Sequence, residues 1–179
     1  MNILITGAAG FLGSHLSQKL SGQGHNIIGV DNMIGGYEDN VQKNIKFFNL
    51  DCCDLKQMQN VMKNIDVVYH CAATAHEGLS VFSPYEITKN NFMSSVSVFS
   101  AAVANKVKRI IFCSSMARYG SQQTPFTEDM TPKPVDPYGI SKVAAEDVLI
   151  NLCELNNIDW VIAVPHNIIG PRQKYDDPF

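Results

Sequence analysis

The sequence predicts a doubly wound α/β fold, in which a mostly parallel sheet carries helices on both faces. Three observations support this class. Short β-branched runs alternate along the chain with segments of helix length, an order typical of βαβ units. These runs are continuously apolar, as expected of strands buried on both faces. A glycine-rich loop also joins the first strand to the first helix, which makes the fold Rossmann-type.

Six strands and four long helices are predicted in alternation. The strands are predicted at 2–6, 26–30, 45–50, 66–72, 109–114 and 158–164. The helices are predicted at about 11–20, 55–64, 86–105 and 138–156. The last helix carries the clearest start signal, because Asp136 suits an N-cap and Pro137 suits the first helical position.

The composition limits the function classes. The chain has 179 residues, is 45% hydrophobic and 17% charged, and carries a net charge of −3, which suits one folded domain. The low arginine content gives no basic surface for nucleic acid or for a membrane. No apolar run is long enough to span a bilayer, and the N-terminal residues do not resemble a signal peptide.

The five cysteines indicate a reducing environment. Their number is odd, and no two of them have CxxC spacing. Cys71 and Cys113 lie at the ends of apolar runs, where a small buried thiol fits. We therefore expect a reduced, cytoplasmic protein without a metal site.

The glycine loop predicts a dinucleotide site. Gly7, Gly10 and Gly13 follow the first strand, and Phe11 and Leu12 open the first helix. A pyrophosphate binds backbone N–H groups at a helix N-terminus, provided that no side chain blocks its approach. An ordinary tight turn is the alternative, but the strand before and the helix after favour dinucleotide binding.

Acidic residues at the strand ends favour NAD. Asp31 ends the second strand, where a carboxylate accepts hydrogen bonds from the adenosine ribose and repels a 2′-phosphate. The alternative role for Asp31 is a local cap. Asp51 ends the third strand and is expected near the adenine, with a solvated acid as the alternative. Residues 1–179 are therefore predicted to form an NAD-binding domain. We expect the sequence to be a fragment, in which residues from about 165 to 179 begin a substrate-binding half that is otherwise missing.

Tyr138 and Lys142 form a candidate catalytic pair. Oxidation of an alcohol by hydride transfer needs a base, and a free tyrosine has too high a pKa. A lysine ammonium one turn away and the helix N-terminus both favour the phenolate. Ser114 and Ser115 end the preceding strand, and both are candidates to bind the substrate oxygen. Alternatively, both serines only satisfy the backbone.

Several motifs in order resemble the extended short-chain dehydrogenase/reductase family, and more narrowly the nucleotide-sugar epimerases of the UDP-glucose 4-epimerase type. The stretches "TGAAGFLGSHL", "HCAATA", "SSMARYG", "YGISK" and "HNIIGPRQ" correspond to family motifs. The resemblance implies further NAD contacts at Asn32, Cys52, Cys71, Ala72, Ala73, Ala75, Asn91, Ser114, Lys142 and Pro165. It implies substrate contacts at Ser80, Ser115, Tyr138 and Asn167, although Ser80 could instead cap a turn.

The resemblance also implies a mechanism. Tyr138 takes a proton from a sugar hydroxyl at C4 of a UDP-hexose or UDP-N-acetylhexosamine, while hydride passes to NAD; the keto-sugar turns over, and hydride returns to its other face. Related dehydratases and decarboxylases carry an acid where this chain has Met116 and Ala117, so elimination is not expected. A net dehydrogenase or reductase and a non-catalytic NAD-binding protein are the alternatives.

A homodimer is the expected assembly. The family dimerises through a four-helix bundle, which here would use the helices near 86–105 and 138–156. Val98, Ala102, Ala144 and Val148 could form its apolar stripes. Such stripes are equally expected of helices that face their own sheet.

Overall fold

The computed structural model describes residues 1–174 and confirms the doubly wound Rossmann-type class. All pairs of neighbouring strands are parallel, and the strand order is β3-β2-β1-β4-β5-β6. All six predicted strands are present: β1 Asn2–Thr6, β2 Asn26–Asp31, β3 Lys46–Asn49, β4 Val67–His70, β5 Arg109–Cys113 and β6 Asp159–Ala163. The order reverses between β1 and β4, which opens a crevice at the carboxyl ends of these strands.

Six α-helices connect the strands within the described residues. They are α1 Phe11–Gly22, α2 Leu55–Val61, α3 Glu77–Phe82, α4 Pro84–Thr88, α5 Ser94–Ala104 and α6 Pro137–Asn156. Short 3₁₀ turns occupy Glu38–Asn40 and Met116–Tyr119. Helix α3 was not predicted, because a six-residue helix that contains a glycine has little periodicity to reveal it.

The long helix predicted at 86–105 is interrupted. A π-helical turn at Lys89–Met93 separates α4 from α5. The Ser94 hydroxyl donates to the Asn90 carbonyl, and the Ser95 hydroxyl donates to the Asn91 carbonyl. These side-chain bonds compete with regular helical pairing, which accounts for the interruption.

Helix α6 begins as the sequence predicts. Asp136 Oδ1 accepts a hydrogen bond from the Gly139 N–H at 2.9 Å, and Pro137 is the first helical residue. A cap of this kind contributes about 1 kcal/mol. The helix ends at Asn156, and the capping residue that follows, Asn157, has left-handed backbone angles. The N-terminal turn of α6 is thus fixed, and Tyr138 lies in it.

The main core lies between the sheet and helices α2, α5 and α6. Phe112 of β5 and Phe99 of α5 are fully buried, with their rings edge-to-face at 5.5 Å. A second cluster on the other face packs Ile3 and Ile5 of β1 beneath α1. Burial of each large apolar side chain contributes about 2 kcal/mol. The two clusters cover opposite faces of β1 and β4.

The predicted dimer stripes are only partly available. Val98 and Ala102 are fully buried in the chain's own core, so these two residues cannot face a partner. Val148 is half-buried against the same core. Met93, Ile140 and Leu155, at 52%, 53% and 73% exposed, are the large apolar side chains of these segments that reach the surface. The homodimer stays a prediction.

The segment after β6 crosses back to α1. The Pro171 carbonyl lies 2.9 Å from His15 Nε2, and the Arg172 guanidinium donates to Gln18 Oε1 at 2.8 Å. Asn40 Nδ2 donates to the Arg172 carbonyl. The predicted start of a substrate-binding half, at about 165–179, lies partly outside the described residues. Within residues 1–174, no helix is long and apolar enough to cross a membrane.

Candidate active site

The glycine loop takes the conformation that a pyrophosphate site needs. Gly7 has φ +71°, and its carbonyl accepts from the Gly10 N–H at 3.0 Å. A Cβ on Gly13 would lie 2.1 Å from the Gly7 carbonyl oxygen, so α1 approaches the loop closely. Phe11 and Leu12 form the first turn of α1. Their N–H groups have no helical acceptor and are free to bind an anion.

Thr6 joins the two strands beside the crevice. Its hydroxyl oxygen accepts from the backbone N–H groups of Cys71 and Ala72, each at 3.2 Å. A Cβ on Gly7 would lie 2.9 Å from the Ala72 nitrogen. The ends of β1 and β4 are therefore held in contact where the strand order reverses. Ala73 and Ala75 follow Ala72 and are exposed.

Asp31 ends β2 and braces the glycine loop. Its Oδ2 accepts from the Ala9 N–H at 3.0 Å, and its Oδ1 accepts from the Met33 N–H at 2.8 Å. Asp31 therefore does cap local backbone N–H groups, as the alternative role predicted. Each carboxylate oxygen keeps a second lone pair that can accept from a ribose hydroxyl.

The other residues predicted around the adenosine lie nearby. Asn32 follows Asp31, and its side chain accepts from the Ile34 N–H. Asp51 Oδ1 accepts from the Cys53 N–H at 2.8 Å, so Asp51 also caps a turn. Cys52 is buried, and its burial together with the Asp51 and Asp31 carboxylates raises the pKa of its thiol far above the usual range.

Asn91 holds the loop that follows β4. It is buried, its Oδ1 accepts from the Thr74 N–H at 2.8 Å, and its Nδ2 donates to the Thr74 carbonyl at 3.1 Å. These two hydrogen bonds hold the backbone of the loop at Thr74. The structure gives Asn91 a positioning role.

Ser115 and Tyr138 are brought together by close packing of two turns. The 3₁₀ turn that follows Ser115 contacts the start of α6, and a Cβ on Gly139 would lie 2.8 Å from the Ala117 carbonyl oxygen. Gly139 therefore permits the approach that sets Tyr138 beside Ser115. Ser115 lies close enough to the Tyr138 phenol to lower its pKa, and Ser115 Oγ accepts from the Ala117 N–H at 3.2 Å.

Lys142 lies one helical turn after Tyr138. Its Nζ donates to the Cys113 carbonyl at 2.8 Å and lies 5.8 Å from the centre of the Tyr138 ring. Burial lowers the pKa of Lys142 to about 8. The amine is thus anchored at the end of β5, on the same side of the sheet as Tyr138.

The pKa of Tyr138 differs from the sequence-based prediction. We expected Lys142 and the helix N-terminus to lower it. In the structure burial raises the pKa of Tyr138, the Ser115 side chain opposes this, and the Glu77 and Asp136 carboxylates raise it further. The prediction was wrong for the chain by itself, because the sequence does not reveal how deeply the phenol is buried.

A buried ion pair beneath the site was not predicted. Glu146 lies one turn after Lys142, forms an ion pair with Arg118 at 3.1 Å and accepts a hydrogen bond from the Ser114 hydroxyl. Burial raises the pKa of Glu146, and the bonds from Ser114 and Arg118 act against this. Ser114 thus supports the strand end. The sequence did offer one signal for this pair, because Glu146 is an acidic residue between the apolar residues Ala145 and Leu149, which are both buried.

The other residues predicted to contact the substrate do not all lie beside Ser115 and Tyr138. The Ser80 hydroxyl is buried, donating to the Glu77 carbonyl at 2.6 Å and to Asp136 Oδ1 at 3.4 Å, which is the turn-capping arrangement. The Pro165 carbonyl accepts from the Met116 N–H at 3.1 Å and so lies beside the serine turn. Asn167 is exposed in the segment after β6.

His70 is buried beneath the crevice and must be neutral. The Ser95 hydroxyl donates to the Asn91 carbonyl and accepts from His70 Nε2 at 2.9 Å. This assignment leaves Nδ1 to accept from the Thr6 hydroxyl at 2.7 Å. Protonation of Nδ1 would place its N–H donor against the Thr6 hydroxyl donor. Burial, aided by the Lys142 ammonium, lowers the pKa of His70 to about 3.

The buried His70 predicts a loss of stability in mild acid. The unfolded chain takes up the proton near pH 6.5, whereas the folded chain resists it down to about pH 3. The contribution of His70 is complete above pH 6.5 and falls by about 1.4 kcal/mol per pH unit below it. Urea unfolding of wild type and His70→Asn, at pH 7 and pH 5, measures the difference.

The control for this prediction is His25→Asn, which removes a histidine outside the crevice. We expect the free energy of unfolding of His25→Asn to follow the wild-type pH dependence, while His70→Asn shows a shallower one. Equal slopes for His70→Asn and wild type would show that His70 does not cause the acid sensitivity.

Comparison with known proteins places this geometry in a family. Residues 3–178 match the model of the NAD dependent epimerase/dehydratase family. The UDP-N-acetyl-alpha-D-glucosaminuronate decarboxylase of Bacillus cytotoxicus is 33% identical in an alignment of 185 residues that covers 98% of this chain and 57% of that protein.

Solved structures agree with this match. The structure of UDP-glucose 4-epimerase from Thermotoga maritima with UDP-glucose has a TM-score of 0.93 and 33% identity, covering 97% of this chain and 58% of that one. The Thermus thermophilus UDP-glucose 4-epimerase complex with NAD has a TM-score of 0.94 and 31% identity, covering 100% and 58%. The chain spans about half the length of the curated relatives it matches.

Proposed function

Because this chain belongs to the NAD dependent epimerase/dehydratase family, we propose that it binds NAD and forms the oxidation site of a nucleotide-sugar epimerase. The observation that carries the proposal is the meeting of Ser115, Tyr138 and Lys142 at the carboxyl end of β5. This end lies next to the crevice between β1 and β4, where doubly wound sheets bind their ligands.

The residues around the crevice suit NAD. The N–H groups at the start of α1 hold the pyrophosphate, since the glycine loop keeps side chains away from them. Asp31 accepts from the adenosine ribose hydroxyls and disfavours a 2′-phosphate, so NAD is preferred over NADP. When bound, NAD supplies the hydride acceptor and donor.

The chain's own side chains transfer the proton and orient the sugar and the nicotinamide. Ser115 binds the reacting sugar oxygen and hands its proton to Tyr138, which acts as the base. Lys142 holds the nicotinamide ribose and stabilises the phenolate by its charge. Since burial raises the pKa of Tyr138 in the chain alone, a cationic neighbour has to offset that burial during the reaction. The result is a transient keto-sugar and an inverted alcohol without net oxidation.

Two further features favour epimerisation of a UDP-sugar at C4. Met116 and Ala117 follow Ser115, and neither can donate or accept a proton for elimination of water or assist loss of CO₂. The two similar structures described above are of UDP-glucose 4-epimerases, and the decarboxylase relative is named for a UDP-N-acetyl sugar. A UDP-hexose or UDP-N-acetylhexosamine is therefore the proposed substrate class.

Turnover of UDP-sugars tests the proposal. We expect the whole protein to convert UDP-glucose or UDP-N-acetylglucosamine into its C4 epimer, resolved by chromatography, with no accumulation of NADH. Release of NADH in proportion to product would indicate the alternative, a net dehydrogenase on the same site. NAD binding without any turnover would indicate the second alternative, a non-catalytic binding protein. Calorimetry should give tighter binding for NAD than for NADP.

A further inference from the structure

Two cysteine thiols meet at the end of β4 and β5. His70 and Phe112 are paired in the sheet, and Cys71 and Cys113 are the next residues along their respective strands. The two Sγ atoms lie 3.7 Å apart. Because neighbouring strands are about 4.8 Å apart, the Cα separation falls within the range of about 4.4–6.8 Å that a disulfide bridges.

The surroundings of this pair favour thiol chemistry. Lys142 Nζ bonds the Cys113 carbonyl, so a positive charge lies beside that residue. The hydrogen bond with the Cys71 thiol lowers the pKa of Cys113, burial opposes this, and the Lys142 ammonium adds to the lowering. Both cysteines are half-buried, so they are not sealed in the core. A thiolate next to a cation and within reach of a second thiol is the arrangement of an oxidisable pair.

We propose that Cys71 and Cys113 form a reversible disulfide at the edge of the cofactor site, closed by a hydroperoxide and reopened by a thiol reductant. The Cys113 thiolate attacks the outer peroxide oxygen and breaks the O–O bond. Sulfur gains a hydroxyl group, and the departing oxide takes a proton to become an alcohol, or water if the oxidant is hydrogen peroxide.

The second step closes the bridge. The Cys71 sulfur attacks the Cys113 sulfenic sulfur, the S–O bond breaks, and the Cys71 proton leaves with the hydroxyl group as water. Two electrons pass from the two sulfurs to the peroxide. Two reductant thiols reopen the bridge by thiol–disulfide exchange. They become a disulfide themselves, and their two protons go to Cys71 and Cys113.

Closure has a consequence for the cofactor, and this part rests on the proposed function. The bridge draws the sulfurs from 3.7 Å to about 2.05 Å, at a point one residue from Ala72 and next to the carbonyl that holds Lys142. Bound NAD covers this strand edge and keeps peroxide away. The oxidation rate therefore falls about 100-fold when NAD is present at 100 times its Kd.

The chain provides a matched control at Cys53. Cys53 is half-buried like the pair and also neighbours another cysteine, Cys52. Burial and the Asp51 carboxylate raise the pKa of Cys53 to about 11, so it lacks the reactive thiolate. Cys53→Ala is expected to leave the formation of the Cys71–Cys113 bridge unchanged.

Peptide mapping after peroxide treatment tests the inference on the full chain. We expect mass spectrometry to find a linked Cys71–Cys113 peptide in wild type and in Cys53→Ala, and dithiothreitol to release it. In Cys71→Ala we expect a sulfenic acid at Cys113 that dimedone traps. A wild-type chain that reacts with peroxide elsewhere but gives no linked peptide overturns the proposal.

A second arm separates the bridge from the cofactor. The same mapping is repeated with saturating NAD, whose binding is measured independently by calorimetry. Protection of the pair supports its place at the cofactor site. Unchanged oxidation in a chain that demonstrably binds NAD refutes that place. Failure of NAD to bind contradicts the proposed function and leaves the disulfide result standing.

Discussion

Tyr138→Phe is expected to lower turnover by about three orders of magnitude, which is the usual contribution of a positioned acid–base group. The change removes one oxygen and keeps the buried ring that packs with Ile87 and Ala117. Stability and NAD affinity should therefore change little. Steady-state rates with UDP-glucose in the whole protein, together with calorimetric titration of NAD into the chain, measure both quantities.

The matched control is Tyr69→Phe. Tyr69 lies on β4 and packs against the cluster beneath α1, on the other face of the sheet. Loss of its hydroxyl should leave turnover within a few-fold of wild type. Near-normal turnover by Tyr138→Phe would remove Tyr138 as the base, whereas an equal loss in both variants would point to a general effect of tyrosine removal.

Gly13→Ala has the second large expected effect, on NAD binding. The new Cβ would lie 2.1 Å from the Gly7 carbonyl oxygen and 3.0 Å from the Ala8 Cα, and backbone atoms cannot yield as a flexible side chain does. Helix α1 must move away from the loop, at a cost of about 3 kcal/mol in the free energy of unfolding. We expect NAD affinity to fall about 100-fold, or about 2.7 kcal/mol.

Gly22→Ala is the control for this change. Gly22 lies in the same helix, and no atom lies within 4 Å of a Cβ built on it. The substitution should be neutral or should stabilise the chain by about 0.5 kcal/mol through the unfolded state. Urea unfolding and NAD titration of both variants give the comparison. If Gly13→Ala binds NAD as tightly as Gly22→Ala, the loop does not hold the dinucleotide.

Local patterns were sufficient for the sheet and for the loop. The apolar strand runs, the three glycines and the Asp136-Pro137 helix start depend on neighbours in sequence, and the structure confirms each as an element. Tyr138 and Lys142 were singled out by their spacing at a helix start, and Ser115 by the family resemblance; the roles of all three stay predictions. Their spatial convergence follows from the parallel order of β4, β5 and β6, which the alternation of elements had already indicated.

Long-range partners could not be read from the sequence. The Glu146–Arg118 pair joins residues on α6 and a 3₁₀ turn, and nothing local couples them. The direction of the Tyr138 pKa depends on burial, which only the assembled fold determines. The two hydrogen bonds between Asn91 and Thr74 also join separate elements, so the sequence did not reveal them.

A crystal structure of the chain grown with NAD tests the central claim most directly. We expect the pyrophosphate against the N–H groups of residues 10–13, and the nicotinamide end beside Tyr138 and Lys142 at the end of β5. A dinucleotide bound away from the crevice between β1 and β4, or a nicotinamide that does not reach Tyr138, would contradict that claim.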